Sequence, residues 1–407
     1  MRILPRPSIT VPDFWRLWLV GLFLFLGRWV DTLAFSVYVF QKSGSALMVT
    51  LTIVMRFLPM GLFGAVAGAI SERFDRRHLL IAVSTGMFAT AAILLALETL
   101  GLLQTWHILA ACFMGGINAT FDNPCRRLMI GEVVGPAKIG TAMAIDSGTN
   151  NGSRTIGPFI AGALFAATGL TGVLIADMIL FAAAIVTALT IRHRAAARRA
   201  EQPSILANIR SGLDICRRDR TLGGVLLLTV VFNLFGYPYV GLVPVVGAGS
   251  LGLSPTHVGL LASIDGVGSV LGSVLVAIFA KPVHFQRLYV ASMLLGFTAI
   301  VLFALSGAPL PAGLALLLTG MAVAGFATMQ NTLMFLLAPP EARGRLLGLL
   351  SVAIGVGPLG FLMIGWLADT IGPENTLIIQ PLIGVLAMAL IYRTWKTLLQ
   401  QPRHALG

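Results

Sequence analysis

Residues 46–77 read ALMVTLTIVMRFLPMGLFGAVAGAISERFDRR, a mostly apolar run that ends in a short charged segment. The apolar part, 46–70, can cross about 30 Å of hydrocarbon as a helix, because a helix rises about 1.5 Å per residue. Eleven more runs of this kind occur along the chain. We therefore predict an all-α membrane protein with twelve transmembrane helices, near 15–40, 46–70, 79–97, 104–125, 139–167, 172–191, 222–247, 256–280, 288–306, 312–337, 346–368 and 375–393.

The composition agrees with a membrane protein, since 57% of the 407 residues are hydrophobic and only 11% are charged. A soluble chain of this length needs more charge on its surface, so the apolar excess is expected to face the lipid bilayer. The first eighteen residues contain three prolines and few apolar side chains, and the first long apolar run continues into a full-length helix. We therefore expect no cleavable signal peptide.

The lysines and arginines are confined to alternate connections. Of the 28 in the chain, 24 lie in the N-terminus, in every second connection or in the C-terminus, whereas the other connections contain only Lys42. Positive residues favour the cytoplasmic side, so this multi-pass protein is predicted to have both termini in the cytoplasm and to lie in a bacterial inner membrane. The net charge of +12 then reflects topology, and no nucleic-acid partner is expected.

A long polar segment divides the predicted helices into six and six. Within it, Ile205, Ile209 and Leu213 recur at the spacing of a short amphipathic helix at the membrane surface. We predict two pseudo-symmetric six-helix bundles and a cytoplasmic linker that contains this helix. The N-terminal bundle is 1–191, the linker is 192–221 and the C-terminal bundle is 222–407.

The two halves share a pattern in the fifth helix of each. Gly157–Pro158 stands in NGSRTIGPFIAGALFAATG, 151–169, and Gly357–Pro358 stands in SVAIGVGPLGFLMIGWLADTIG, 351–372. Both pairs are expected in the middle of a helix. Duplicated halves with helix-interrupting Gly and Pro at matching positions are typical of transporters that open a central site alternately to each side.

Residues 68–77, GAISERFDRR, resemble the connection between the second and third helices of the major facilitator superfamily, which carries a glycine, an acid and a basic pair. This sequence has Glu72 where the family has aspartate and Asp75 where the family has glycine. The resemblance implies the twelve-helix major facilitator fold. It also implies a cytoplasmic gate, in which we expect Asp122 to pair with Arg73 or Arg126. The predicted gate residues are Gly68, Glu72, Arg73, Arg76, Arg77, Asp122 and Arg126.

The fifth helix resembles the exporter signature of the same superfamily, although Ala144 and Ser153 replace two of its usual glycines. LLAPPEARGRLLGLLS, 336–351, and FDNPCRRLMIGEVVGPAKIGTAMAID, 121–146, are similar to connections in its enterobactin-exporter and macrolide-efflux branch. The resemblance implies export by a monomer. Small residues allow close contact between helices. The predicted packing positions are Gly157, Pro158, Gly162, Gly357 and Pro358.

Motifs for soluble catalytic chemistry are absent from the sequence, including GxxxxGK[ST], HExxH and GxSxG. The six histidines fall in loops or at helix ends, and the three cysteines are not placed to form a disulfide framework. We therefore predict no enzyme activity, no cofactor and no metal centre.

Several charged residues lie within the predicted helices, where each costs at least about 2.5–3.5 kcal/mol and needs a partner or a function. Arg28 and Asp31 are three residues apart on one helix face and can pair. Such a pair can be structural. Alternatively, Asp31 takes up the transported proton and is the first choice for the coupling acid, with Asp265 and Asp146 as further candidates. Asp177 is another charge within a predicted helix, the sixth.

Other polar residues in the helices are candidates for lining a substrate cavity. The arginines among them can bind an anionic group of the substrate or form structural ion pairs. The amides and tyrosines can line a cavity or bond to neighbouring helices, and Pro238 suggests a break in the seventh helix. The candidates are Arg28, Arg56, Asn150, Asn151, Arg154, Asn233, Tyr237, Tyr239, Gln330 and Asn331.

These features together predict a proton-coupled secondary transporter that exports an amphiphilic small molecule, such as a drug, a siderophore or a related metabolite, by alternating access. Its expected partners are lipid, protons and the transported molecule. One alternative is a proton-linked importer of a siderophore or an organic anion. A remote alternative is an intramembrane enzyme or scaffold.

Overall fold

The computed structural model describes residues 11–135, 138–193, 213–339, 342–391 and 396, and the side chains of 65–73 and 344 are outside this description. The described residues form helices, turns and loops, with no β-strand among them. The predicted amphipathic linker helix lies mostly outside the described residues, although 213–218 are helical.

Twelve long helices account for most of the described chain. They are α1 Pro12–Ser43, α2 Ala46–Arg73, α3 Arg76–Thr99, α4 Thr105–Val134, α5 Ile139–Thr190, α6 Arg220–Phe235, α7 Pro255–Phe279, α8 Phe285–Ala304, α9 Pro309–Leu337, α10 Arg343–Ile354, α11 Gly357–Ile371 and α12 Pro373–Leu390.

Ten helical segments of the described chain are long and apolar enough to cross a membrane. One of them, α5, has 52 residues and breaks at Gly169, whose φ of 66° and ψ of −162° are not helical, so it supplies two spans. The long helix α4 is not among the ten, because charged residues such as Asp122 and Arg126 lower its apolar character. Helices α10 and α11 together make one of the ten segments, so counting both arms of α5 and adding α4 gives twelve spans, the number predicted.

The matching Gly-Pro pairs have different effects on the backbone. Pro158 lies inside α5 without interrupting it. In the C-terminal half, α10 ends at Ile354 and α11 begins at Gly357, so Gly357–Pro358 starts a new helix rather than lying mid-helix as predicted. Proline has no N–H to donate and fits the first turn of a helix, which explains this position.

The break predicted at Pro238 is present. Helix α6 ends at Phe235, and the chain continues through a 3-10 turn, Tyr237–Gly241, a short turn, Val243–Val245, and a π-helical turn, Val246–Ser250.

The chain folds as two compact units. The first, which we call the N-unit, comprises 1–42 and 55–200, and the second, the C-unit, comprises 43–54 and 201–407. The first turns of α2 therefore belong to the C-unit. Within this unit, the Asp369 carboxylate at the end of α11 accepts hydrogen bonds from the backbone N–H of Ala46 at 2.6 Å and of Leu47 at 3.3 Å. A carboxylate there satisfies free N–H groups of the α2 N-terminus and complements the helix dipole.

Helices α7 and α9 of the C-unit touch through their backbones. A Cβ atom on Gly320 would lie 2.0 Å from the carbonyl oxygen of Asp265, and one on Gly268 would lie 2.1 Å from that of Leu317. Only glycine fits at these two crossing points. The positions of Gly268 and Gly320 therefore fix how α7 lies along α9, and so where Asp265 lies.

Replacing Gly320 with alanine is expected to destabilise the C-unit by about 1–3 kcal/mol, because the added methyl group forces the two backbones apart. The measurement is the melting temperature of the purified protein in detergent. Gly348→Ala in α10 is the control, since its Cβ would have no atom within 4 Å. Equal melting temperatures for the two variants would contradict the packing argument.

Candidate functional site

A chain of buried ion pairs runs through the N-unit. Arg28 Nη2 of α1 lies 3.7 Å from Asp122 Oδ2 of α4, and Asp122 Oδ1 lies 3.3 Å from Nε of Arg126. Arg126 also donates to Asp146 of α5, whose second oxygen lies 3.7 Å from Arg127 Nε. Arg126 is 0% exposed and lies between three helices. Helices α4 and α5 provide its carboxylate partners, and α1 provides the surface against which its side chain packs.

The third helix, α1, is shaped to admit the Arg126 side chain. A Cβ atom on Gly21 would lie 2.6 Å from Arg126 Nη1, and the Phe25 ring centroid lies 4.5 Å from the Arg126 guanidinium carbon. Glycine provides the space for the guanidinium, and the aromatic face provides a cation–π contact one turn later. The sequence of α1 therefore explains how a full charge can lie inside the unit.

Asp31 and Asp177 form a second group of buried acids, and they are 5% and 0% exposed. A Cβ on Gly27, one turn before Asp31, would lie 3.7 Å from Asp177 Oδ1, so the two carboxyl groups lie beside each other. Close packing of α1 on the second arm of α5 sets this arrangement, because a Cβ on Gly27 would lie 2.7 Å from the ring of Phe181. Asp31 lies one turn from Gly27 in α1, and Asp177 lies one turn from Phe181 in α5.

Arg56 of α2 faces this acid pair without touching it. Its Nη1 donates to the backbone carbonyl of Arg28 at 3.4 Å, and its Nη2 lies 3.9 Å from Cys112 Sγ. Its charge acts on both Asp31 and Asp177, yet it forms no ion pair within 4.0 Å in the described part of the chain. Arg56 is therefore a cation at some distance from the two carboxyl groups.

In the structure, Arg28 pairs with a different acid from the one predicted. The sequence predicts a pair with Asp31 on the same helix, but Arg28 reaches Asp122 instead, and Asp31 turns towards Asp177. A carboxylate on another helix can approach the guanidinium from a direction that a residue three positions along cannot. Asp122 pairs with Arg126, one of its two predicted partners.

The other two predicted coupling acids have close partners. Asp146 is held by Arg126 and Arg127, so its charge is compensated twice. Asp265, in the C-unit, accepts a hydrogen bond from the hydroxyl group of Tyr239. Asp31 differs from both, because the side chain beside it is another carboxyl group.

Two of the predicted cavity residues of the N-unit, Asn150 and Arg154, lie next to Trp29. Its indole N–H donates to Asn150 Oδ1 at 3.3 Å, and the Arg154 guanidinium carbon lies 5.8 Å from its ring centroid. A Cβ on Gly157 would lie 2.6 Å from Trp29 Cβ, so the predicted packing glycine brings α5 against α1. Pro158 and Gly162 are buried, and Asn151 is exposed.

The predicted cavity residues of the C-unit are mostly engaged with the protein. Asn233 donates to the Thr229 carbonyl at 2.9 Å, and Gln330 Oε1 accepts from Thr229 Oγ1 at 3.4 Å. Tyr237 makes an edge contact with the ring of Phe361. Asn331 is exposed and donates to a carbonyl of its own helix. Buried amides in such contacts stabilise the helix packing.

Part of the predicted gate forms a cluster where α2 passes into α3. Arg76 donates to Glu132 of α4, His193 Nε2 lies 3.2 Å from the same carboxylate, and Arg77 donates to the carbonyl of Leu189 at 2.5 Å. The side chains of Gly68, Glu72 and Arg73 lie outside the described residues.

Glu132 in this cluster lies beyond the predicted fourth span. Burial alone would raise its pKa, but hydrogen bonds from Arg76 and His193 outweigh burial and leave the pKa below its ordinary value. The stabilisation from Glu132 is therefore complete at neutral pH and is lost as the pH falls through the lowered pKa.

Comparison with known proteins identifies the family. The sequence profile of the transmembrane secretion effectors matches residues 8–401. The chain belongs to this family. It is a multi-pass membrane transporter of the major facilitator superfamily, as the sequence predicted.

Relatives and a solved structure agree with this assignment. The chain is 20% identical to macrolide efflux protein A of Streptococcus pyogenes, over 84% of this chain and 86% of the relative. It is 25% identical to the multidrug efflux pump Tap of Mycolicibacterium fortuitum, over 89% and 92%. A bacterial homolog of the human lysosomal transporter Spinster, solved in an inward-facing and unoccupied conformation, has a TM-score of 0.74 at 15% identity, over 95% and 97% of the chains. That structural likeness confirms the predicted fold.

Proposed function

We propose that the chain is a proton-coupled antiporter that exports an amphiphilic small molecule, such as a drug, a siderophore or a related metabolite, across a bacterial inner membrane. The observation that carries the proposal is the state of Asp31. This buried carboxyl takes part in no ion pair within 4.0 Å in the described part of the chain. The ion-paired carboxylates of Asp122 and Asp146 differ from it in this respect.

A carboxyl in this position links proton binding to substrate binding. An ionised carboxylate inside a membrane protein needs a positive charge nearby, and either a proton or a basic group of a substrate meets this need. When the substrate occupies the site, the proton leaves, and when the substrate leaves, a proton returns. Because the two compete for one group, inward proton flow drives the substrate outward.

The remaining buried charges of the N-unit have a structural part in this proposal. The ion pairs around Arg126 keep α1, α4 and α5 in register. The cluster of Arg76, Arg77 and Glu132 is proposed to form part of the cytoplasmic gate. In the N-unit, the polar residues near Trp29 are proposed to line the substrate path, and access alternates between the two sides of the membrane.

The direction of transport rests on the relatives. Macrolide efflux protein A and the multidrug efflux pump Tap are efflux proteins by name, and each matches most of this chain. The alternative is a proton-linked importer of a siderophore or an organic anion. It is favoured by Arg56, whose guanidinium forms no ion pair within 4.0 Å among the described residues and can bind an anion.

Cells with and without the gene distinguish the two directions. We would compare growth and internal concentration for a panel of macrolides, other amphiphilic antibiotics and siderophores. Export predicts that the gene lowers the internal concentration of at least one compound and raises tolerance to it, or raises its level in the medium. A gene-dependent rise in the internal concentration of a compound would indicate an importer instead.

A further inference from the structure

We propose that Asp31 and Asp177 form one two-carboxyl site that binds a single proton shared between them. This inference rests on the proposed function and names the partner of its coupling acid. Asp177 lies on the second arm of α5, more than a hundred residues from Asp31 along the chain. The ligand of the site is a proton.

Asp177 is a buried acid in need of a hydrogen-bond donor. Neither oxygen of Asp177 has a hydrogen-bond donor among the described residues, although the side chain is completely buried. A buried polar atom without a partner costs free energy, so such atoms are rare in folded proteins. A proton on one carboxyl group turns it into a donor for the other and satisfies both.

Electrostatic repulsion between the two acids also favours a shared proton. Two carboxylates in contact cannot both be ionised without a cation between them, because the repulsion is strong in a medium of low polarity. Arg28 is engaged with Asp122, and Arg56 forms no ion pair within 4.0 Å with either acid in the described part of the chain. A shared proton leaves the pair with one negative charge, which the more distant Arg56 balances.

Close helix packing also encloses the pair of acids. Phe181 lies one turn from Asp177 and presses on Gly27, which lies one turn from Asp31. Phe181 is 1% exposed. This contact excludes water from one side of the carboxyl pair, so water does not replace the shared proton there. The pair is therefore a built site rather than two independent acids.

The test uses infrared spectroscopy of the purified full-length protein at neutral pH, in which a protonated carboxyl group has its own carbonyl band. We expect one such band in the native protein and its loss in both Asp31→Asn and Asp177→Asn. Asparagine supplies the missing donor to the remaining carboxylate, which then needs no proton. The control is Asp214→Asn, which removes an exposed carboxylate paired with Arg217 and should leave the band intact.

Three results would overturn the proposal. The native protein could lack the band, or either single variant could retain it, which would mean that the acids titrate separately. The band could also disappear when sodium replaces potassium at constant pH, which would identify a site for a metal cation. If the shared proton is present but the proposed function is wrong, the native protein still has the band and both variants still lose it. Transport then shows no dependence on a pH gradient.

Discussion

Replacement of Arg126 by methionine is expected to destabilise the protein by about 3–5 kcal/mol, the typical cost of removing one partner from a buried ion pair. Arg126 is 0% exposed and contacts both Asp122 and Asp146. Without it, the ion pairs left among the described residues are the long contact of Asp146 to Arg127 and the long contact of Asp122 to Arg28. The measurement is unfolding of the purified protein in mixed micelles with increasing denaturing detergent.

Arg127→Met is the matched control for this experiment. Arg127 also faces Asp146, but its side chain is 53% exposed and its Nε is 3.7 Å away. An exposed pair of this kind contributes at most about 1 kcal/mol. A triple variant with Arg126→Met, Asp122→Asn and Asp146→Asn should recover part of the lost stability, because neither acid is then left as an unpaired buried charge. The recovery is partial because Arg28 loses Asp122 as its partner. Equal losses for Arg126→Met and Arg127→Met would show that the buried network does not hold the unit together.

Asp31→Asn is expected to abolish transport driven by a pH gradient. In proteoliposomes, accumulation of the transported compound should fall to the level of protein-free liposomes. Exchange of labelled for unlabelled compound without a gradient should continue, because Asp177 keeps one carboxylate at the site for a basic group of the substrate. Asparagine at position 31 keeps the size of the side chain but cannot share or release a proton. The two assays on the same preparation separate loss of coupling from loss of folding.

Asp214→Asn serves as the control for transport as well, since its carboxylate is exposed and lies in the polar segment 192–221, outside the predicted membrane helices. It should retain both accumulation and exchange. If Asp31→Asn accumulates the compound as the native protein does, the coupling acid is another residue.

The sequence was sufficient to predict the helices, since apolar runs and basic connections report directly on membrane crossing. It also predicted contacts along one helix, such as Asp122 with Arg126. Contacts between helices depend on how each helix is rotated about its axis. The pairing of Asp31 with Asp177 required the contact of Gly27 with Phe181, which no spacing along the chain encodes.

Two other contacts between helices could not be predicted from the sequence. The pairing of Arg28 with Asp31 was a reasonable expectation from their spacing, but α4 offers Asp122 at 3.7 Å. Asp369 gave no signal in the sequence as a cap for α2, because its partners Ala46 and Leu47 are more than three hundred residues away. The cost of an unpaired charge in a membrane did point to Asp177 as a residue in need of a partner, without saying which.

Competition of proton and substrate for Asp31 is tested most directly by measuring the protons released when the transported compound binds. The purified protein would be placed in weakly buffered detergent solution with a pH indicator, and the compound identified in the cell screen would be added. We predict an acidification that scales with the amount of protein and is lost in Asp31→Asn, while calorimetry confirms that both proteins bind the compound. Binding to the native protein with no change in pH would contradict the claim that proton and substrate compete for this buried acid.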